Sequence, residues 1–234
     1  MIVPKTSGKL GTGFIVSIHN NDVERLFLVT CKHVAFQKTN LDLVFHTTNA
    51  RTGELLDGCV TLSVATNAIW EKFDNKDLDI AVLDISDLAL QSERNGIKIY
   101  TQAIPVEKLA TQEDFASIGL LEDVYYFGYP IGIFDPANGT PIARKGHLAS
   151  DINKSFKRAH RFYIDGSLTE GMSGCPIYYI KETSNGPEFL ILGIGYGQAQ
   201  QPYQFTKGII YEEPVHLGMA NKAYVIKQLI EKLI

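Results

Sequence analysis

The feature that most constrains this chain is a long succession of short β-branched or alternating segments, punctuated by Gly, Asn and Asp. It runs through FIVSI (14–18), RLFLVTC (25–31), LDLVF (41–45), CVTLSVA (59–65), DIAVLDI (79–85) and IKIYTQAI (97–104). After a polar interval near 105–122 it resumes in VYYFGYP (124–130), PIARKGHLAS (141–150), RFYIDGSL (161–168), CPIYYI (175–180), FLILGIGYG (189–197) and GIIYEE (208–213). Period-two alternation and β-branched runs bounded by turn residues predict strands. Only in AYVIKQLIEKLI does the spacing become helical, with Tyr224, Ile226, Leu229, Ile230 and Leu233 on one face and lysines on the other. The chain therefore reads as all-β, with one C-terminal helix at about 222–234. Two similar β lobes, about 8–104 and 123–213, form a single domain over residues 1–234. At 234 residues and 45% hydrophobic composition, the chain can bury a sizeable core without disulfide staples.

Charge and cysteine content exclude several functions. A formal net charge of -4 provides no basic field for nucleic acid or an anionic membrane. The basic stretch KSFKRAHR (154–161) reads as a solvated loop between strands. Cys31, Cys59 and Cys175 are odd in number and lack metal-ligand spacing, so neither a disulfide framework nor a metal site is expected, and no cofactor is implied. No secretory signal is recognisable, and no stretch approaches the roughly 18 apolar residues of a membrane span. Reduced thiols in a cytoplasmic setting are the expectation.

One loop stands out against this background. EGMSGCP (170–176) places Ser173 between glycines ahead of an apolar strand. It is open to two readings: a Gly-rich turn, or a nucleophile whose neighbouring backbone N–H groups, those of Gly171 and Ser173, converge on an oxyanion. The strand-to-helix elbow G-x-S-x-G is not met, because Cys175 stands where the second glycine belongs and the chain lacks alternating βα units. A serine hydroxyl is a weak nucleophile and needs a base oriented by a third group. The candidate base is His33, which follows the apolar strand in LVTCKHVA, with His19, His46, His147, His160 and His216 as rivals. The candidate acid is Asp79, which opens the strand in KDLDIAVLDI, with Asp74, Asp77 and Asp84 as rivals.

Taken together, LVTCKHVA, DLDIAVL and EGMSGCP resemble the histidine, aspartate and serine segments of trypsin-like (chymotrypsin-fold) serine proteases. They occur in that chain order. The likeness extends to TGFIVS, VYYFGYPIG, FLILGIGYG and the closing GMANKAYVIKQLIEKL, a pattern similar to the protease domain of the HtrA/Deg group. The resemblance implies two six-stranded antiparallel β-barrels with a C-terminal α-helix. It also implies a serine endopeptidase with catalytic His33, Asp79 and Ser173, and an oxyanion hole made by the N–H groups of Gly171 and Ser173. A protein or peptide substrate would pair with the strand edge at Gly195, Tyr196 and Gly197, above a pocket floored by Ser167. A catalytically silent protease fold used for binding is the alternative. Met172, where zymogen-activated relatives carry Asp, argues against activation through a freed Ile2-Val3 terminus. Restraint would then come from narrow specificity or a regulatory partner. Cys31 and Cys175 read as buried small apolar residues.

Overall fold

In the computed structural model the chain is described over residues 1–4, 10–20, 23–37, 39–49, 52–135, 139–156, 159–206 and 209–234, with the backbone alone at 4, 20, 203–206 and 209–212. Lys157 and Arg158 of the basic stretch lie outside the described residues. The elements of the first lobe are β1 (Ile2–Pro4), β2 (Phe14–Asn20), β3 (Val23–Thr30), α1 (Lys32–Ala35), β4 (Leu41–Thr48), β5 (Leu55–Val64), β6 (Glu71–Lys72), β7 (Ala81–Asp84), α2 (Ser86–Arg94), β8 (Lys98–Ile99) and β9 (Ile104–Pro105). A connection carrying α3 (Gln112–Phe115) leads to β10 (Asp123–Gly128), β11 (Ile142–Leu148), β12 (Arg161–Asp165), β13 (Pro176–Thr183), β14 (Gly186–Thr206), β15 (Ile209–Lys222) and α4 (Tyr224–Ile230).

The second lobe is a closed antiparallel barrel in the order β10-β11-β12-β15-β14-β13. Alternation builds it: on β10, Val124 and Tyr126 are fully buried between outward Asp123, Tyr125 and Phe127, and on β12, Phe162 and Ile164 do the same between Arg161, Tyr163 and Asp165. Closure gives every strand a neighbour on each side, so all six inward faces can be apolar.

The first lobe corrects the expectation of a second six-stranded barrel. It is made of two sheets, β6-β7-β3-β2-β9 and β1-β4-β5 with β8 added on β4. Among the described residues no ladder joins them. Closure requires continuous pairing between sheets, and the strands at the seam are too short to provide it: β6, β8 and β9 have two residues each. The predicted strand 97–104 is divided between the two sheets: β8 pairs with β4, and β9 pairs in parallel with β2. Its predecessor in the chain, α2, was not expected. Leu88 and Ala89 pack against the core half-buried and only Ser92 is buried, so the apolar face of α2 is short and interrupted by a serine.

The predicted C-terminal helix is present as α4, shorter at both ends, with Val225, Ile226, Leu229 and Ile230 buried. It leaves the barrel and packs back against β6 and β7 of the first lobe. The two lobes thus share one continuous apolar core. No described helix is long and apolar enough to cross a membrane.

Candidate active site

The candidate base sits where an apolar strand has to end. Residues 26–30 of β3 are all buried, and the chain exits through the one-turn helix α1, closed by Val34 and Ala35 N–H donating to the Cys31 carbonyl at 3.1 and 2.9 Å. Val34 and Ala35 turn inward, which leaves the His33 side chain half exposed at 51%. The Lys32 ammonium donates to the carbonyls of Phe73 and Asn75 at 3.2 and 2.8 Å, tying down the loop that leads to the acid.

Asp79 lies just before β7, whose entry residues Ile80, Ala81 and Val82 are fully buried. Its carboxylate grips His33 twice: Oδ1 accepts the backbone N–H at 3.1 Å, and Oδ2 lies 2.5 Å from ring Nδ1. Burial alone would push this carboxyl up. The hydrogen bonds and positive charge of His33, with Lys32 beyond, outweigh burial and hold it below the ordinary carboxylate value. Four of the rival groups are engaged elsewhere. Asp84 pairs with Arg25 at 2.5 Å, His147 with Asp123 at 3.1 Å, His160 with the Tyr224 hydroxyl at 2.5 Å, and His216 with Ser167 at 2.8 Å.

The serine loop hangs between both lobes. Thr12 of the first lobe donates its N–H to the Ser173 carbonyl at 2.8 Å and its hydroxyl to the Gly171 carbonyl at 2.7 Å. Thr30 in turn donates to the Thr12 carbonyl at 2.7 Å. Gly171 and Gly174 adopt φ of +87° and +96°, which favours glycine, and each is hemmed in by backbone. A Cβ on Gly171 would lie 2.0 Å from the Tyr129 carbonyl oxygen, and one on Gly174 would lie 1.8 Å from that of Thr12.

This wrapping fixes two peptide planes. The Glu170 carbonyl accepts from Ile131 N–H at 2.6 Å, and the Met172 carbonyl accepts from Cys175 N–H at 2.9 Å. In a trans peptide the following N–H points the opposite way. The N–H groups of Gly171 and Ser173 are thereby turned away from these anchors, and neither has a protein acceptor among the described residues. Gly171→Ala would displace this plane, because its Cβ would meet the Tyr129 carbonyl at a φ that disfavours a side chain.

His33 and Ser173 open onto one cleft of about 390 Å³, lined also by Leu10, Gln37, Leu168, Gly171, Gly197 and Gln198. The Ser173 hydroxyl donates to the Tyr196 carbonyl at 3.4 Å, at the long limit for a hydrogen bond, rather than to His33. Gly197 is the member of the predicted strand edge that faces the cleft. Gly195 lies behind the loop, accepting from Gly174 N–H at 2.8 Å and donating to the Cys175 carbonyl at 2.9 Å. Ser167 does not line the cleft; Leu168 beside it does, and it is 2% exposed and packs against the bare α-carbons of Gly195 and Gly218.

Cys31, His33 and Asp79 bring donor atoms within 4.8 Å of one another. Two donors on one tetrahedral zinc ion sit about 3.3 Å apart, wider than the 2.5 Å between His33 and Asp79. The Cys31 thiol is also driven far up by burial, with Asp79 and Cys175 adding to the effect, so it stays neutral. Burial pushes Cys175 up to about 12. Both buried thiols pack as small apolar groups.

Sequence reasoning missed two residues that hold the site. Thr12 lies in the quoted TGFIVS segment, but a threonine beside glycines carries no visible sign of a contact 159 residues away. Asn221 is fully buried, and its amide accepts Asp79 N–H at 3.0 Å and donates to the Asp77 carbonyl at 3.3 Å. Its sequence setting, beside Lys222 between Ala220 and Ala223, gives no sign of this role.

No protein-family model matches the chain, and no curated protein does. Solved structures do. One is the HtrA-type protease AlgW, solved as a serine-to-alanine variant with a tripeptide: 15% identity, TM-score 0.53, covering 100% of this chain and 58% of that one. The chain thus spans little more than half of AlgW's length. Another is Rv3671c from M. tuberculosis H37Rv, in the inactive form of a serine-to-alanine mutant: 16% identity, TM-score 0.48, covering 99% of this chain and 83% of that one.

Proposed function

On this trypsin-like protease fold, we propose a serine endopeptidase that cleaves polypeptides through His33, Asp79 and Ser173. The observation that carries the reading is the double grip of Asp79 on His33, with its ring exposed to the cleft that Ser173 enters. A carboxylate on Nδ1 fixes the tautomer that leaves Nε2 free to accept a proton. Ser173 would rotate away from the Tyr196 carbonyl, transfer its proton to His33 and attack the peptide carbonyl. The N–H groups of Gly171 and Ser173 would bind the oxyanion, each worth about 3 kcal/mol in comparable sites. His33 would then protonate the leaving amine, and water would release the acyl group by the same steps in reverse. An extended substrate would pair with the β14 edge at Gly197.

Leu168 shapes the preference at the cleaved residue. It occupies the pocket that Ser167 would otherwise floor, so small aliphatic residues should be favoured over Arg, Lys or Phe by at least about tenfold in kcat/KM. A peptide-library cleavage profile measures this, and efficient cleavage after large or basic residues would refute it.

The second reading, a catalytically silent protease fold used for binding, draws on the Ser173 hydroxyl facing the Tyr196 carbonyl. Labelling with a serine-directed fluorophosphonate, followed by intact mass, separates the two. The endopeptidase reading expects one adduct, absent in Ser173→Ala. A folded protein that takes up no adduct would be the silent fold.

A further inference from the structure

We infer that Asn221 is a positioning residue that holds the acid of the proposed triad from the lobe carrying the nucleophile. It is the one buried side-chain amide among the described residues, on a stretch whose neighbours Ala220, Ala223, Val225 and Ile226 are all buried. A polar group there is costly unless satisfied, and an apolar side chain would serve packing better. Both ends of the amide are spent on one target, the backbone of the Asp79 segment: Oδ1 on Asp79 N–H at 3.0 Å and Nδ2 on the Asp77 carbonyl at 3.3 Å. These bonds cross from β15 of the second lobe to the loop before β7 of the first.

The same residue is tied to the serine. Asn221 pairs with Ile194 on β14, whose neighbour Gly195 accepts from Gly174 N–H and donates to the Cys175 carbonyl, the two residues that directly follow Ser173. Gly193 lets the two strands meet closely, since a Cβ there would lie 2.1 Å from the Asn221 carbonyl oxygen. One path therefore runs from Asn221 to His33 through Asp79, and a second runs from Asn221 to Ser173 through Gly195. The Asp79 carboxylate makes its hydrogen bonds to His33, so its anchor to the other lobe is this backbone clamp.

The inference rests on the endopeptidase reading for its meaning but not for its measurement. In Ser173→Ala protein, which is inactive whatever Asn221 does, proton NMR should show the low-field resonance of the proton between His33 Nδ1 and Asp79. It should be lost in Asn221→Ala and in Asp79→Asn, and retained in Phe162→Leu, an equally buried change on the adjacent β12. In protein with Ser173 intact, Asn221→Ala should lower kcat at least about tenfold with KM nearly unchanged. The same change added to Asp79→Asn should cost little more, because the two act through one group. Asn221→Leu, of similar volume and without the amide, replaces the alanine variant if that fails to fold. A low-field resonance that survives in either folded variant overturns the positioning role. If the resonance behaves as expected while no fluorophosphonate adduct forms, the clamp stands and the endopeptidase reading falls.

Discussion

Replacing Ser173 by alanine is expected to lower kcat by about 10⁶-fold while leaving the fold intact, the size of loss seen when a triad nucleophile is removed. The separation of chemistry from stability follows from how the serine is held. Its side chain makes one hydrogen bond among the described residues, at 3.4 Å to the Tyr196 carbonyl, whereas the loop is held through its backbone: Thr12 N–H on the Ser173 carbonyl, Thr12 Oγ1 on the Gly171 carbonyl, and Gly174 N–H on the Gly195 carbonyl. Deleting Oγ leaves each of those bonds in place. Thermal unfolding should therefore move by no more than about 0.5 kcal/mol, as for a substitution away from any structural feature. Turnover by this variant at anything near the parent rate would place the nucleophile elsewhere.

Asp79→Asn should cost about 10⁴-fold in kcat, more than the loss of one negative charge at this distance would suggest. The reason lies in the order of the two bonds. Oδ1 accepts the His33 backbone N–H and must remain an oxygen, so the amide NH₂ of asparagine falls at the Oδ2 position, 2.5 Å from ring Nδ1 in the parent. A donor there stabilises the tautomer with its proton on Nε2, which cannot accept one from Ser173. The same change has a signature in stability. The Asp79 carboxyl is held below its ordinary value in the folded chain, so the unfolded chain binds a proton there first as pH falls. Its contribution is fully present above the unfolded value of about 3.9 and disappears as pH drops through the lower folded value. Parent and Asp79→Asn should thus differ in denaturant midpoint near neutrality and converge in acid. A constant difference from pH 7 to acid would show that the carboxylate charge has no part in holding the fold.

The two lobes responded differently to sequence reading, and the reason is local. In the second lobe, alternation was strict in β10 and β12 and every strand had partners on both sides, so pattern and barrel agreed. In the first lobe, IKIYTQAI has the composition of one strand, yet it is cut into two-residue pieces, and α2 precedes it with only a short apolar face, Leu88 and Ala89, ending at Ser92. Whether a β-prone segment pairs depends on what lies beside it, which composition does not encode. In the candidate site, His33, Asp79 and Ser173 were legible because strand ends and glycines mark them in the chain. Ser167 was placed by resemblance at the pocket floor; in the structure it pairs with His216, and Leu168 beside it lines the cleft.

What the sequence by itself determined is the material of the site: a serine between two glycines, a histidine after a buried strand, an aspartate before another, and an all-β frame able to hold them. Those are properties of neighbours along the chain, where turn chemistry and side-chain period act directly. The tertiary structure decided the relations. It set Asp79 on the backbone N–H and ring Nδ1 of His33, turned the Gly171 and Ser173 N–H groups away from their anchoring carbonyls, and ran Thr12 and Asn221 across the lobes to hold each side. Such contacts join residues 46 to 159 positions apart, and they form only when the packing of two lobes has fixed distances that no local pattern carries.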